Sequence, residues 1–188
     1  YVIFAIWYKH LMHYIMGDTI NNTLAMIYQY FDTSYHLQNK PNIDSMLMQR
    51  HMLFALQGKT KETQHFVNDQ FNEASFLSQD NAPHALYIYN FYKMLLAYWF
   101  DEYDKAIHYA NQADNYAMAM VGQVAVVEVL FMRGLACCQL YSQASAEQQA
   151  EYLQIIERDL KELNTLTQYY PDNHLAKERL LAAEYYRI

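Results

Sequence analysis

The chain has 188 residues, a net charge of −7 and 53% apolar residues, with four glycines, three prolines and two cysteines. The apolar content excludes disorder, the acidic balance excludes a general phosphate-backbone binder, and the scarcity of turn formers excludes an all-β domain. The two cysteines, Cys137 and Cys138, are adjacent and build no disulfide framework, which points to a reducing cytoplasm.

The first segment, "YVIFAIWYKHLMHYIM", lacks the basic start and small-residue cleavage site of a signal peptide. Lys9, His10 and His13 interrupt it well short of the ~20 apolar residues a membrane span needs. It continues as "WYKHLMHYIMGDTINNTLAMIYQYF", which predicts helix, a break at Gly17-Asp18, and helix over about 1–39. "HLMH" puts His10 and His13 on one helix face, where they could hold a metal. A zinc-protease helix requires H-E-x-x-H, and no third ligand stands nearby in sequence, so neither metal nor cofactor is expected.

The second segment, about 42–80, contains "MLMQRHMLFALQGKTKETQHFVNDQF" and predicts helix, a turn at Gly58, and helix. Its Gly-Lys-Thr lacks the upstream glycine and preceding strand of a phosphate loop. Met12, Met16 and Met26, and Met46, Met48 and Met52, fall on apolar faces and read as core filler.

The third segment, about 82–119, opens with "HALYIYNFYKMLLAYWFDEYDKAIHYA". Its first residues alternate like a strand, but Pro83 to Phe100 is too long an apolar run for one. A helix buried on several sides fits, with Asn81 as its cap and Pro83 in its first turn. An acidic turn then leads to Tyr103, Ala106, Ile107, Ala110 and Ala113, which have the spacing of an amphipathic helix.

The fourth segment, about 121–170, predicts an apolar helix interrupted by Glu128 and Arg133, a turn near Gln143, and a second helix opened by the capping-box pair Ser145 and Gln148. Cys137 and Cys138 read as two small buried hydrophobes. Glu157, Asp159 and Glu162 interleave with Arg158 and Lys161, the pattern of a solvated face with local ion pairs. A fifth unit starts over 172–188.

The inner turns near 17, 58, 101 and 143 are separated by 41, 43 and 42 residues. Two-helix units at such a spacing predict one all-α domain over 1–188, an α-solenoid with a period of about 42 residues. "LLAYWFDEYDKAIHYANQAD" resembles the turn of a tetratricopeptide repeat, with Tyr103, Ala106 and Ala113 at its packing positions and Phe91, Met94, Leu95 and Tyr98 at those of its first helix. "MLFALQGKT", "YNFYKMLLAYWFDEYDKAIHYANQAD" and "VLFMRGLACCQLY" resemble the helical-repeat region of large bacterial multidomain signalling ATPases, where it lies between kinase-like, nucleoside-triphosphatase and sensor or histidine-kinase modules. The resemblance implies no catalytic residues and a scaffold that docks partners or relays signals between modules.

The expected function is therefore a non-enzymatic, cytoplasmic protein-interaction segment, whose partners are proteins or neighbouring domains of the same chain, with no nucleic acid. In tetratricopeptide-like arrays first helices line the concave groove, which makes Tyr89, Tyr92, Leu96 and Trp99 the candidate partner-binding row; the alternative is that all four are core. A second function class, a ligand-sensing domain holding a small apolar molecule in a Tyr-rich pocket, draws on the 19 tyrosines. An all-helical enzyme would need convergent polar groups, which the sequence does not offer. Tyr1 begins inside an apolar helix and "AAEYYRI" carries no helix stop, so the chain is expected to be part of a longer one, with uncapped ends able to self-associate.

Overall fold

Gly17, Gly58 and Asp101 take left-handed backbone conformations, with φ of 78°, 68° and 58°. Each ends a helix in the same way. The amide after it reaches back to a carbonyl five residues earlier: Asp18 N to His13 O at 3.0 Å, Lys59 N to Phe54 O at 2.9 Å, and Glu102 N to Ala97 O at 2.9 Å. This Schellman cap satisfies carbonyls that a helix end leaves unpaired. A fourth break is the 3-10 turn Tyr141–Gln143. All four fall where the sequence placed them. The protein is all-α: the computed structural model, which describes residues 2–60, 65–68 and 70–188, is 81% helical. It forms two compact units, 1–92 and 93–188.

In unit 1–92, α1 (Val2–Ile15), α2 (Ile20–His36) and α3 (Lys40–Leu56) pack pairwise on one another. Leu11, Ile27, Met46, Met52 and Leu53 are withdrawn from solvent between them, each worth roughly 1.5–3 kcal/mol. Thr19 caps α2 by accepting from Asn22 N at 3.2 Å, and Asn39 caps α3 by accepting from Asn42 N at 3.1 Å. Met46, Met48 and Met52 are core, as expected, but Met16 is exposed at the end of α1.

The second helix expected after Gly58 does not form over the described part of 59–72. Residues 61–64 and 69 lie outside the described residues. Val67–Asn68 (β1) instead pairs antiparallel with Phe71–Asn72 (β2), where no strand was expected, and a short α4 (Glu73–Leu77) follows. The physical reason is the spacing of Phe66, Phe71 and Phe76. Five residues on a helix turn the side chain by ~140°, so a helix could not bury all three. The turned backbone does: Phe66 and Phe76 stand 6.2 and 5.6 Å from the Tyr89 ring, and Phe71 stands 5.6 Å from Phe76. Asn72 reinforces the break by capping α4 through Ser75 N at 2.9 Å.

The unit boundary falls inside α5 (Pro83–Trp99), the stretch that alternates like a strand. It is a helix, and every residue from Tyr87 to Ala97 is buried. Asn81 does not cap it. Its side chain donates backwards to Phe76 O at 2.6 Å, closing the end of α4 instead.

In unit 93–188, α6 (Tyr103–Asp114), α8 (Ala146–Tyr169) and α9 (Pro171–Arg187) all pack on α7 (Val124–Leu140). The expected capping box opens α8: Gln148 N donates to Ser145 Oγ at 3.3 Å, and Ser145 N donates to Gln148 Oε1 at 3.0 Å. Gly134 lets α9 approach α7, because a Cβ there would stand 2.6 Å from Leu181 Cδ2. Among the described residues, Val124–Gln143 is long and apolar enough to cross a membrane; 67% of that window is buried within the fold, the position of a core helix.

Candidate functional site

The four candidate docking residues do not form one exposed row. Tyr89 and Tyr92 lie in unit 1–92 and are buried; in unit 93–188 Leu96 is buried and Trp99 is 52% exposed. A shared helix face provides a surface only where nothing covers it, and α5 is covered from Tyr87 to Ala97. The Tyr89 hydroxyl donates to Glu73 Oε1. Tyr92 is fully enclosed beside Trp7, and burial raises its phenol above the usual tyrosine range.

Trp99 belongs to an aromatic corner where α5 turns into α6. Its ring meets Tyr98 edge-on (5.7 Å, 85°), and Tyr98 meets Tyr103 (5.5 Å, 69°). The Tyr103 hydroxyl donates to Asp101 Oδ1 at 2.6 Å, which raises its phenol to about 12. Burial, then the charges of Glu184 and Asp101, raise Tyr98 as well. The left-handed Asp101 thus presents a carboxylate beside a braced aromatic surface.

The largest departure from the sequence reading is a buried ionic clamp. Asp159 is not on a solvated face; it is fully buried, and so is Arg133. Arg133 Nε and Nη2 each donate to Asp159 at 2.8 Å, a two-pronged pairing. Its Nη1 reaches Asn111 Oδ1 at 3.2 Å and also Asp114. Three helices, α6, α7 and α8, are joined through one guanidinium. Desolvation lowers the Arg133 pKa, but the hydrogen bonds and charges of Asp159 and Asp114 together raise it, leaving it above the ordinary arginine value. Burial pushes the Asp159 carboxyl up against the pull of that cation. The signal was present in the sequence: Tyr152, Ile156, Asp159, Leu163 and Thr167 follow a helical stripe, and the structure buries all five.

His13 Nδ1 stands 2.9 Å from Asp18 Oδ2 at the α1–α2 turn. His10 is fully buried against Tyr30 (6.4 Å), and burial lowers its pKa to about 4. Among the described residues no three histidine, cysteine or acidic side chains converge to hold a metal. Cys137 and Cys138 are buried, which raises their thiols to about 12 and about 11. An open cleft of about 320 Å³ is lined by His65, Val67, Asn72, Glu73, Ala74 and Leu77. Its carboxylate is engaged: Glu73 accepts from Phe66 N at 2.7 Å and from Tyr89, with His65 3.9 Å away. No protein-family model, curated protein or solved structure matches the chain.

Proposed function

We propose that the chain is a non-catalytic docking scaffold, a tetratricopeptide-like solenoid with a period of about 42 residues. On this reading it binds protein partners or neighbouring modules of a bacterial cytoplasmic signalling protein. The observation that carries the reading is Trp99, 52% exposed yet braced by Tyr98, which itself rests on Tyr103. An amphipathic aromatic in such a setting is the kind of residue that dominates protein interfaces. Several ionisable groups support it further, because His13, Glu73, Arg133 and Asp159 are each tied into contacts that hold the fold together.

The test is site-specific photo-crosslinking in the cells that make the protein, with the crosslinker placed in turn at exposed Tyr28, Trp99, Met118 and Tyr186. Docking predicts discrete protein adducts from at least one position. Absence of protein adducts from all four would refute it.

A further inference from the structure

We infer that the α5–α6 corner docks an arginine-bearing segment of a protein partner, with one guanidinium laid over the Trp99 indole and another paired with Asp101. This rests on the docking reading above and adds the place and the chemistry. The sequence "YWFDEYD", Tyr98 to Asp104, carries four aromatics and three carboxylates and no base. The next base along the chain, Lys105, is held by Glu102 at 2.8 Å, while Asp101 and Asp104 face solvent. Residues 101–150 contain six acids and two bases, and the second base, Arg133, is enclosed in the clamp. The local field is therefore negative, and the raised phenols of Tyr98 and Tyr103 both register Asp101.

The surface is also preformed. The ring contacts run from Trp99 through Tyr98 to Tyr103, and the Tyr103 hydroxyl fixes the Asp101 carboxylate. Beneath them the backbone is held by Asp101 N to Tyr98 O at 3.1 Å and by the Glu102–Ala97 bond. Little ordering remains to be done on binding.

Charge decides among occupants. A purely apolar segment lying across Trp99 and Phe100 would desolvate Asp101 without a counter-ion, which is costly. An acidic segment or a nucleic acid would be repelled. A guanidinium satisfies both elements, stacking on an indole and forking onto a carboxylate.

The test uses the full chain and a short fluorescein-labelled peptide alternating arginine and leucine, read by anisotropy. Comparison peptides carry citrulline or glutamate in place of arginine. The arginine peptide should bind most tightly and weaken as salt rises. Trp99→Ala and the pair Asp101→Asn/Asp104→Asn should each weaken it about tenfold or more. In the unmodified chain, the indole N–H resonance of Trp99 should shift on adding peptide while that of buried Trp7 stays in place. The proposal is overturned if the arginine peptide does not bind, if citrulline or glutamate peptides bind as tightly, or if the Trp99 resonance does not move. Crosslinks from Tyr28, Met118 or Tyr186 alongside such a failure would leave the scaffold standing and remove this surface from it.

Discussion

Replacing Asp159 with alanine should cost about 3 kcal/mol of stability. The substitution removes two charge-assisted hydrogen bonds to Arg133, both 2.8 Å long and both shielded from solvent. Such bonds contribute about 1.5–3 kcal/mol each, and breaking a buried pair costs about 3–5 kcal/mol. The lower end applies because Arg133 keeps Asn111 and Asp114, and the Asp114 side chain is 40% exposed and remains partly hydrated. Urea unfolding followed by helical circular dichroism measures the loss, which at a slope of about 1–3 kcal/mol per M moves the midpoint by about 1 M or more. The double substitution Arg133→Met/Asp159→Leu removes both charges and should return to within about 1 kcal/mol of the starting protein. Arg158→Ala should matter little, because its side chain is 48% exposed although Nε lies 3.1 Å from Asp159. A loss below about 1 kcal/mol for Asp159→Ala, or a double variant as damaged as the worse single one, would refute this account.

Three further outcomes are expected. His10 is held at about 4 when folded against 6.5 when free, so the unfolded chain binds a proton first as pH falls. Its contribution is complete above pH 6.5 and is lost progressively towards pH 4, by up to roughly 3 kcal/mol; His10→Gln should flatten that part of a stability–pH profile. Tyr92→Ala should cost about 3–5 kcal/mol, by analogy with buried Phe truncations, whereas Trp99→Ala should leave the melting temperature nearly unchanged; equal losses would contradict their different burial. Gly58→Ala and Asp101→Gly should move stability in opposite directions by up to about 1 kcal/mol, because both positions are left-handed and only one has the residue suited to it; calorimetry showing the same sign for both would count against strain at Asp101.

What could be read in advance was local. The glycines at 17 and 58, the acidic turn at 101 and the Ser145–Gln148 box declare themselves through nearest neighbours, and all mark helix ends in the structure. The stretch 59–72 could not be read from apolar content alone, because phenylalanines five apart satisfy neither helical nor strand periodicity. Their inward placement depends on Tyr89, contributed by a later helix. Arg133 and Asp159 are 26 residues apart. Asp159 looks solvated beside Glu157, Arg158 and Lys161, Arg133 merely interrupts an apolar run, and only the packing of α7 on α8 pairs the two out of water. Trp99 and Leu96 share a helix row in the sequence, but what covers a row is a tertiary fact, so one is exposed and the other is not.

Cys137 and Cys138 carry a consequence for oxidative chemistry. With both thiols enclosed on α7 and raised to about 12 and about 11, almost no thiolate is present at neutral pH, and alkylating agents gain access only when the helix opens. Labelling rate therefore becomes a clock for that opening, read at two positions that face different neighbours, Cys137 feeling Asp159 and Cys138 feeling Glu184. Peroxide, which needs no thiolate to attack a thioether, meets a different surface. Met118 and Met16 are 88% and 67% exposed, so the first scars of oxidation should be sulfoxides at those two positions, recorded while the thiols remain intact.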